Sequence, residues 1–169
     1  MIKIKLHPEK DQHLLMNNEI IKRIIKEAKL SEQDKIIEIG AGTGILTSEL
    51  IKNTKKVLAF EIDENFRDKL DKIESKNLEI IYDNALKYNW SDYNKIISNI
   101  PYSLSEPIII KAIEDKTEFM VLTVGENFKE ILKKKETKIG ILANLFFDVI
   151  PILKIDKKNF VPPPRIDSW

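Results

Sequence analysis

The chain has 169 residues, 43% of them apolar and 33% charged, with a formal net charge of +1. This length suits one domain with a buried core, and the small net charge excludes the strong field of a highly basic nucleic-acid-binding protein. The absence of cysteine excludes disulfides and cysteine zinc sites, two histidines argue against a histidine-rich metal site, and no apolar run is long enough to span a membrane.

Near the start of the chain, apolar residues recur with the period of an amphipathic helix, at Ile20, Ile21, Ile24, Ile25 and Ala28. Short apolar runs then alternate with helical patterns. The runs predict strands within residues 35–40, 55–63, 78–83, 95–99, 119–124 and 148–155, the last with a proline at Pro151. The patterns between them predict helices within residues 43–53, 64–73, 106–114, 126–135 and 141–147.

This alternation predicts an α/β fold with a mostly parallel sheet and helices on both faces. We expect a single domain over residues 1–169, in which residues 1–30 form an N-terminal segment and helix and residues 31–169 form the core. Ligands of such sheets bind beyond the carboxyl ends of the strands, so the residues that follow each predicted strand are the candidates for a site.

A glycine-rich loop follows the first predicted strand. Gly40, Gly42 and Gly44 have the spacing G-x-G-x-G, which is neither the dinucleotide fingerprint nor a phosphate-binding P-loop. Glycines at these positions let the backbone turn tightly and approach a ligand. The loop therefore suits a nucleoside without a pyrophosphate, although such a loop taken alone is often only a turn.

Two polar residues follow the next strands. Glu61 ends the second strand, about where a carboxylate would hold the two ribose hydroxyls, and Asn84 follows the third strand, where it would meet an adenine edge. S-adenosyl-L-methionine fits this set better than NAD does. Glu61 considered alone is more often a solvated strand end.

The fourth predicted strand runs into Asn99-Ile100-Pro101-Tyr102. The nitrogen of an exocyclic adenine amine is a poor nucleophile, and the Asn99 oxygen and the Ile100 carbonyl can accept its two hydrogens and draw it out of the ring plane. Pro101 restrains the Ile100 carbonyl, and Tyr102 offers a face for base stacking. The stretch is typical of a pocket for a flipped-out base, whereas its alternative is a common proline turn.

These motifs resemble the ribosomal RNA adenine N6-dimethyltransferases, which include the small-subunit rRNA dimethylases and the macrolide-resistance methylases. The resemblance runs along nearly the whole chain and includes residues 12–15, the glycine loop, Asn99–Tyr102 and a late Phe-x-Pro-x-Pro motif that begins at Phe160. It implies the class I, Rossmann-like methyltransferase fold and S-adenosyl-L-methionine as cofactor. It also implies methylation of adenine N6 in RNA, most often ribosomal RNA. The cytoplasm is the expected location because the charged N-terminus lacks a signal-peptide core.

The resemblance assigns roles residue by residue. Asn99, Ile100, Pro101, Tyr102 and Phe160 would form the catalytic pocket, with the target adenine between Tyr102 and Phe160. The cofactor would be bound by Gln12, His13, Leu15, Gly40, Gly42, Gly44, Glu61, Ile62, Asn84, Ala85 and Asn99. No metal ligand is implied.

The chain departs from the family pattern in several places. The family's early glycine and phenylalanine are missing around Gln12, and Asn84 stands where an aspartate is expected, with Asp83 beside it. Family members continue beyond the Pro-rich motif with a last strand and a helical RNA-binding domain, whereas this sequence stops at Trp169. We therefore expect an exposed sheet edge that a protein partner or a second copy would cover.

Two alternatives remain open at this point. One is a methyltransferase of the same fold that acts on tRNA, DNA or another amine. The other is a binding or assembly factor that keeps the fold and the cofactor loop without turnover. Whether one or two methyl groups are transferred is also open.

Overall fold

The structure is a computed structural model that describes residues 6–169, apart from the side chain of Lys10. Its centre is a sheet of five parallel strands in the order β4-β3-β2-β5-β6. In chain order these strands are β2 (Lys35–Ile39), β3 (Lys56–Phe60), β4 (Leu78–Ile81), β5 (Lys95–Asn99) and β6 (Phe119–Thr123). The order reverses between β2 and β5, which places the switch point of the fold at the ends of these two strands.

The three central strands are buried on both faces, as expected for a parallel sheet covered by helices. On one face, Ile36, Val57 and Ile97 pack with the first two helices. On the other face, Ile37, Leu58 and Ile96 pack around the fully buried Trp90 and the helix that follows β5. The predicted α/β fold is therefore confirmed, with five of the six predicted strands in place.

Within residues 6–169, six α-helices surround the sheet, and all the predicted helices are present. Asn17 caps the first of them with its side-chain oxygen, and Thr137 caps the last in the same way. The helices are α1 (Asn18–Glu27), α2 (Ile45–Leu50), α3 (Arg67–Leu70), α4 (Ser105–Glu114), α5 (Glu126–Lys134) and α6 (Lys138–Phe146).

A second, two-stranded sheet joins the two ends of the described chain. β1 (Leu14–Leu15) pairs antiparallel with β7 (Phe160–Val161), with Leu15 opposite Phe160. This ladder holds the N-terminal segment and the Pro-rich segment together over the carboxyl edge of the main sheet. Neither strand was predicted, because two residues give no measurable period.

The prediction of a sixth strand over residues 148–155 is wrong. Only Ile155 pairs, through an isolated bridge to Ser168. Pro151 has no N–H to donate, and Ile150, Ile152 and Leu153 are exposed rather than packed on the sheet. The segment instead runs over the surface from α6 to the Pro-rich motif.

The outer edge of β6 is one edge of the main sheet. Just beyond its carboxyl end, Val124 and Trp169 exchange both of their backbone hydrogen bonds. The prediction of a protein partner on this edge stays a prediction. None of the helices within residues 6–169 combines the length and the apolar character needed to cross a bilayer.

Candidate functional site

A cavity of about 430 Å³ lies at the carboxyl edge of the main sheet. Its volume is within the range of sites that enclose small ligands. Its walls come from the N-terminal segment, the glycine loop, the ends of β3, β4 and β5, and the start of β7. Of the predicted site residues, it is lined by Gln12, His13, Gly40, Gly42, Glu61, Ile62, Asn84, Ala85, Asn99, Ile100, Pro101, Tyr102 and Phe160.

The glycine loop turns at two residues whose backbone conformation only glycine adopts easily. Gly40 has φ of 76° and Gly42 has φ of 56°. The N–H of Gly40 donates to the Phe60 carbonyl over 2.8 Å, which ties the loop to the end of β3. A Cβ atom on Gly42 would lie 2.9 Å from Leu14 Cδ2, so the loop also packs closely against the N-terminal segment.

Glu61 is fixed by the backbone around it. Its Oε2 accepts from the Gly42 N–H and its Oε1 accepts from the Asp63 N–H, each over 2.8 Å. The side chain is only 6% exposed, and this burial raises the pKa of the Glu61 carboxyl, against the lowering effect of the backbone N–H groups. A carboxylate has about four acceptor sites, more than these backbone N–H groups fill, so Glu61 can still accept from a hydroxyl group in the cavity.

Asn84 begins a short 3₁₀ turn after β4, and its side-chain Oδ1 accepts from the Leu86 N–H over 3.0 Å. The neighbouring Asp83 is bound to the Lys87 ammonium over 2.7 Å, and this bond holds the pKa of the Asp83 carboxyl below its usual range. Both residues line the cavity, together with the buried Ala85.

Asn99 is the last residue of β5, and within the described residues only the nitrogen of its side-chain amide has a hydrogen-bond partner. Its Nδ2 donates to the His13 carbonyl over 3.2 Å. Its Oδ1 is buried and accepts no hydrogen bond from any described residue. A buried polar atom without a partner is costly in a ligand-free site, and it marks the position where a donor from a ligand is expected.

Two aromatic rings meet the cavity beside Asn99. The Tyr102 hydroxyl is hydrogen-bonded to the Ser168 hydroxyl, and burial raises the pKa of the Tyr102 phenol. Phe160 is only 2% exposed and packs in the apolar core as well as lining the cavity. The ring that stacks on Tyr102 is His13, with 6.1 Å between centroids and 29° between planes.

The N-terminal segment covers one side of the cavity and is held there by side-chain hydrogen bonds. Gln12 Nε2 donates to Asp63 Oδ2 over 2.7 Å, and Asp11 Oδ2 accepts from the Ser103 N–H over 3.0 Å. His13 Nδ1 lies 2.8 Å from the Pro162 carbonyl oxygen, and since a carbonyl can only accept, this nitrogen is the donor.

Two predicted residues are not brought to the cavity. Leu15 is buried in the core and borders a separate void of about 40 Å³. Gly44 begins α2 with φ of 78°, and a Cβ atom there would lie 2.2 Å from Ile73 Cδ1.

Several cavity residues were not predicted. They lie on the segments that flank the predicted motifs and include His7, Asp11, Leu14, Asp63, Glu64, Asn65, Phe66, Asp83 and Leu104. The position of Asp63 after the second strand was the one available signal, since it follows Glu61 at the same strand end.

A buried acid lies behind the glycine loop. Glu38 of β2 is 1% exposed, and its Oε2 accepts from Thr47 Oγ1 over 2.6 Å. Burial raises the pKa of the Glu38 carboxyl to about 8. The group is therefore mostly protonated at neutral pH, and it does not line the main cavity. Within the described residues, no group of three or more His, Cys, Asp or Glu side chains could hold a metal ion.

The sheet order, the glycine loop after its first strand and the cavity at its carboxyl edge define a Rossmann-like methyltransferase fold of class I. The crystal structure of the 23S rRNA methyltransferase ErmE has this fold, with a TM-score of 0.80 and 23% identity over 92% of this chain and 66% of that one.

Sequence comparison then gives the family. The sequence model described as "Ribosomal RNA adenine dimethylase" matches residues 3–169, and the chain belongs to this family. A probable ribosomal RNA small subunit methyltransferase A of Methanosarcina acetivorans is 35% identical over 94% of this chain and 61% of its own. The crystal structure of a dimethyladenosine transferase from Plasmodium falciparum is 32% identical, with a TM-score of 0.85, over 92% of this chain and 61% of that one. The chain thus spans about three fifths of the length of these two relatives.

Proposed function

We propose that this chain is the catalytic domain of an S-adenosyl-L-methionine-dependent methyltransferase that acts on adenine N6 of RNA. Family membership supports the reaction class. The observation that carries the proposal is that Asn99 lines the cavity and its buried side-chain Oδ1 has no hydrogen-bond partner among the described residues. An amide oxygen in this position needs a donor, and an exocyclic amine supplies one.

The residues present fit the cofactor. The glycine loop leaves room for a nucleoside, Glu61 offers carboxylate lone pairs to a ribose diol, and Asn84 and Ala85 border the position of a base. When bound, S-adenosyl-L-methionine supplies a methyl group that is already activated by the sulfonium centre. The protein then needs to position the acceptor and stabilise developing charge more than it needs a strong base.

Asn99 and Ile100 have the central role toward the acceptor. The Asn99 Oδ1 and the Ile100 carbonyl oxygen would accept the two hydrogens of the amine, which localises its lone pair on nitrogen. Pro101 has a fixed φ and restrains Ile100 before it, so this carbonyl keeps its direction. Tyr102 offers the stacking face, and Phe160 supports the pocket from the core side.

The names of the relatives point to the small-subunit ribosomal RNA as the substrate, and we adopt it for this chain. Formation of dimethyladenosine, as in the name of the Plasmodium falciparum protein, is part of the same proposal. So is a cytoplasmic location, where an enzyme of ribosome maturation meets its RNA.

The first experiment is calorimetric titration with S-adenosylhomocysteine, the product form of the cofactor, against the intact chain and a Glu61→Ala variant. We expect binding to the intact chain and a loss of about 100-fold or more in the variant, because both hydrogen bonds to a charged acceptor disappear. Glu79→Ala is the matched control, since Glu79 is an exposed acid on β4 outside the cavity. Absence of binding to the intact chain would contradict the cofactor assignment.

The second experiment separates an enzyme from a binding factor. Transfer of labelled methyl groups to small-subunit particles is measured for the intact chain and for Asn99→Ala, and the modified base is identified by mass spectrometry. We expect N6-methylated adenosine with the intact chain and a loss of more than 100-fold with the variant. RNA binding without transfer in both proteins would favour the assembly-factor reading.

A further inference from the structure

The amide of Asn84 presents a different chemistry to the cavity than a carboxylate would. Its Oδ1 accepts from the Leu86 N–H over 3.0 Å, which orients the side chain as the cap of the 3₁₀ turn. Its Nδ2 donates to no described residue. Asn84 is half-buried and lines the cavity, so this amide contributes both an unused N–H donor and a partly used acceptor to the wall.

No neighbouring acid restores a free carboxylate at this point. Asp83 Oδ1 accepts from its neighbour's backbone N–H and from Lys87 Nζ, each over 2.7 Å, and its Oδ2 lies 3.3 Å from the Tyr88 hydroxyl. Three donors therefore occupy most of the acceptor sites of the Asp83 carboxylate, which has about four. Asn84 therefore contributes a polar side chain with an unused donor to this part of the cavity wall.

We propose that Asn84 makes the nucleobase pocket permissive at position 6 of the purine, so that it accepts a 6-oxo cofactor base as well as a 6-amino one. This inference rests on the proposed cofactor site. A carboxylate is an acceptor only, and it favours a 6-amino group and repels a 6-oxo group. The Asn84 amide can accept from a 6-amino group with the second lone pair of Oδ1, and it can donate from Nδ2 to a 6-oxo group without losing its cap.

The size of the effect follows from hydrogen-bond energetics. When two hydrogen-bond acceptors face each other in a buried site, the cost is about 1–3 kcal/mol, which corresponds to roughly 5- to 150-fold in affinity. A site that offers only an acceptor strongly rejects a ligand that needs a donor there. A site that can offer either a donor or an acceptor does not. The permissiveness of the pocket should therefore appear in the ratio of its affinities for the 6-amino and 6-oxo compounds, and not in either affinity alone.

The test compares S-adenosylhomocysteine with its 6-oxo analogue, S-inosylhomocysteine, by calorimetric titration. For the intact chain we expect dissociation constants within about 10-fold of each other. For Asn84→Asp we expect the 6-oxo analogue to weaken by a further 10- to 100-fold relative to the 6-amino compound. Aspartate caps a turn as well as asparagine does, so the variant should keep its melting temperature.

Two control variants complete the design. Asn89→Asp makes the same chemical change at an exposed turn outside the cavity, and it should leave the ratio unchanged. Asn84→Ser keeps a capping oxygen and removes the amide, so it should weaken both ligands alike. An intact chain that already rejects the 6-oxo analogue by more than 100-fold would overturn the inference, as would an Asn84→Asp ratio equal to that of the intact chain. Failure of both ligands to bind the intact chain would overturn the proposed function, and this inference with it.

Discussion

The hydroxyls of Tyr102 and Ser168 are hydrogen-bonded to each other, which ties the aromatic ring at the cavity wall to the end of the Pro-rich segment. The Tyr102 ring also lies against Gly125, where a Cβ atom would be 3.4 Å from its Cδ2 atom. Because the ring is held from two sides, its orientation is set before any base arrives. This preorganisation reduces the entropy lost on binding.

Ser168→Ala should lower methyl transfer by about 5-fold, since it removes one hydrogen bond worth about 1 kcal/mol from Tyr102, the residue proposed to stack on the base. Affinity for S-adenosylhomocysteine should not change, because Ser168 does not line the cavity. Single-turnover transfer and calorimetry measure the two effects separately. Ser103→Ala, an exposed serine beside Tyr102, is the control and should change neither. Equal loss in both variants would contradict the role of the Tyr102–Ser168 bond.

Phe160 belongs to the core and to the cavity at once, so its substitutions should separate into two effects. Phe160→Ala should lower the free energy of unfolding by about 3–5 kcal/mol, as other large-to-small core changes do. Phe160→Leu keeps most of the apolar volume and should cost less than about 1.5 kcal/mol. Urea unfolding gives both values. Methyl transfer by the folded Leu variant then reports the contribution of the aromatic face, and full activity would exclude Phe160 from base stacking.

Glu38 should make stability depend on pH. Its pKa is about 8 in the folded chain and near 4.5 for an ordinary glutamate, so the folded state holds the proton more tightly. The contribution of Glu38 to the free energy of unfolding is therefore largest below about pH 4.5 and decreases as the pH rises toward about 8. Glu38→Gln should flatten this dependence and be more stable than the natural chain by a few kcal/mol at pH 9.

Urea unfolding at several pH values measures this effect of Glu38. Glutamine can still accept the Thr47 hydrogen bond, so the variant should match the natural chain near pH 5. Glu74→Gln, at an exposed position, is the control. A natural chain whose stability does not change between pH 5 and pH 8 would show that Glu38 is not protonated in the folded state.

Gly42 and Gly44 should respond differently to alanine. Both have positive φ, and alanine in this region costs about 1 kcal/mol or more. Gly44→Ala would also press on Ile73, so it should lower the melting temperature and leave the affinity for S-adenosylhomocysteine unchanged. Gly42→Ala would press on Leu14 at the cavity wall and disturb the N–H that binds Glu61, so it should weaken this affinity by about 10-fold. Thermal unfolding and calorimetry compare the two, and an equal loss of affinity would contradict the placement of Gly44 outside the site.

The main sheet and most of the cavity could be predicted because their signals are local. Each of the five strands is a short apolar run, and Glu61, Asn84 and Asn99 stand directly at or after strand ends, where the parallel topology brings them to one edge. The glycine loop can be recognised as a turn in the sequence because its glycines tolerate positive φ. The prediction that the strands are parallel was therefore enough to place these side chains at the same edge.

The remaining features depend on contacts between distant parts of the chain. The ladder between Leu15 and Phe160, the stacking of His13 on Tyr102 and the bond from Gln12 to Asp63 have no local pattern. The predicted strand over residues 148–155 failed for the opposite reason. Its apolar residues look like a strand locally, but within the described residues only Ile155 pairs, through its isolated bridge to Ser168.

The ladder between β1 and β7 also has a consequence for biosynthesis. The wall of the cavity needs Gln12 and His13 from the start of the chain together with Phe160 from near its end, and the Tyr102 ring needs Ser168. A nascent chain on the ribosome can pair β2 to β5 while residues 160–168 are still in the exit tunnel, but it cannot complete the site. Such pairings between distant residues form late, because they must first overcome the entropy of closing a long loop. The cavity wall can therefore be completed only once Phe160 has emerged, and the Tyr102 ring is fixed only once Ser168 has followed.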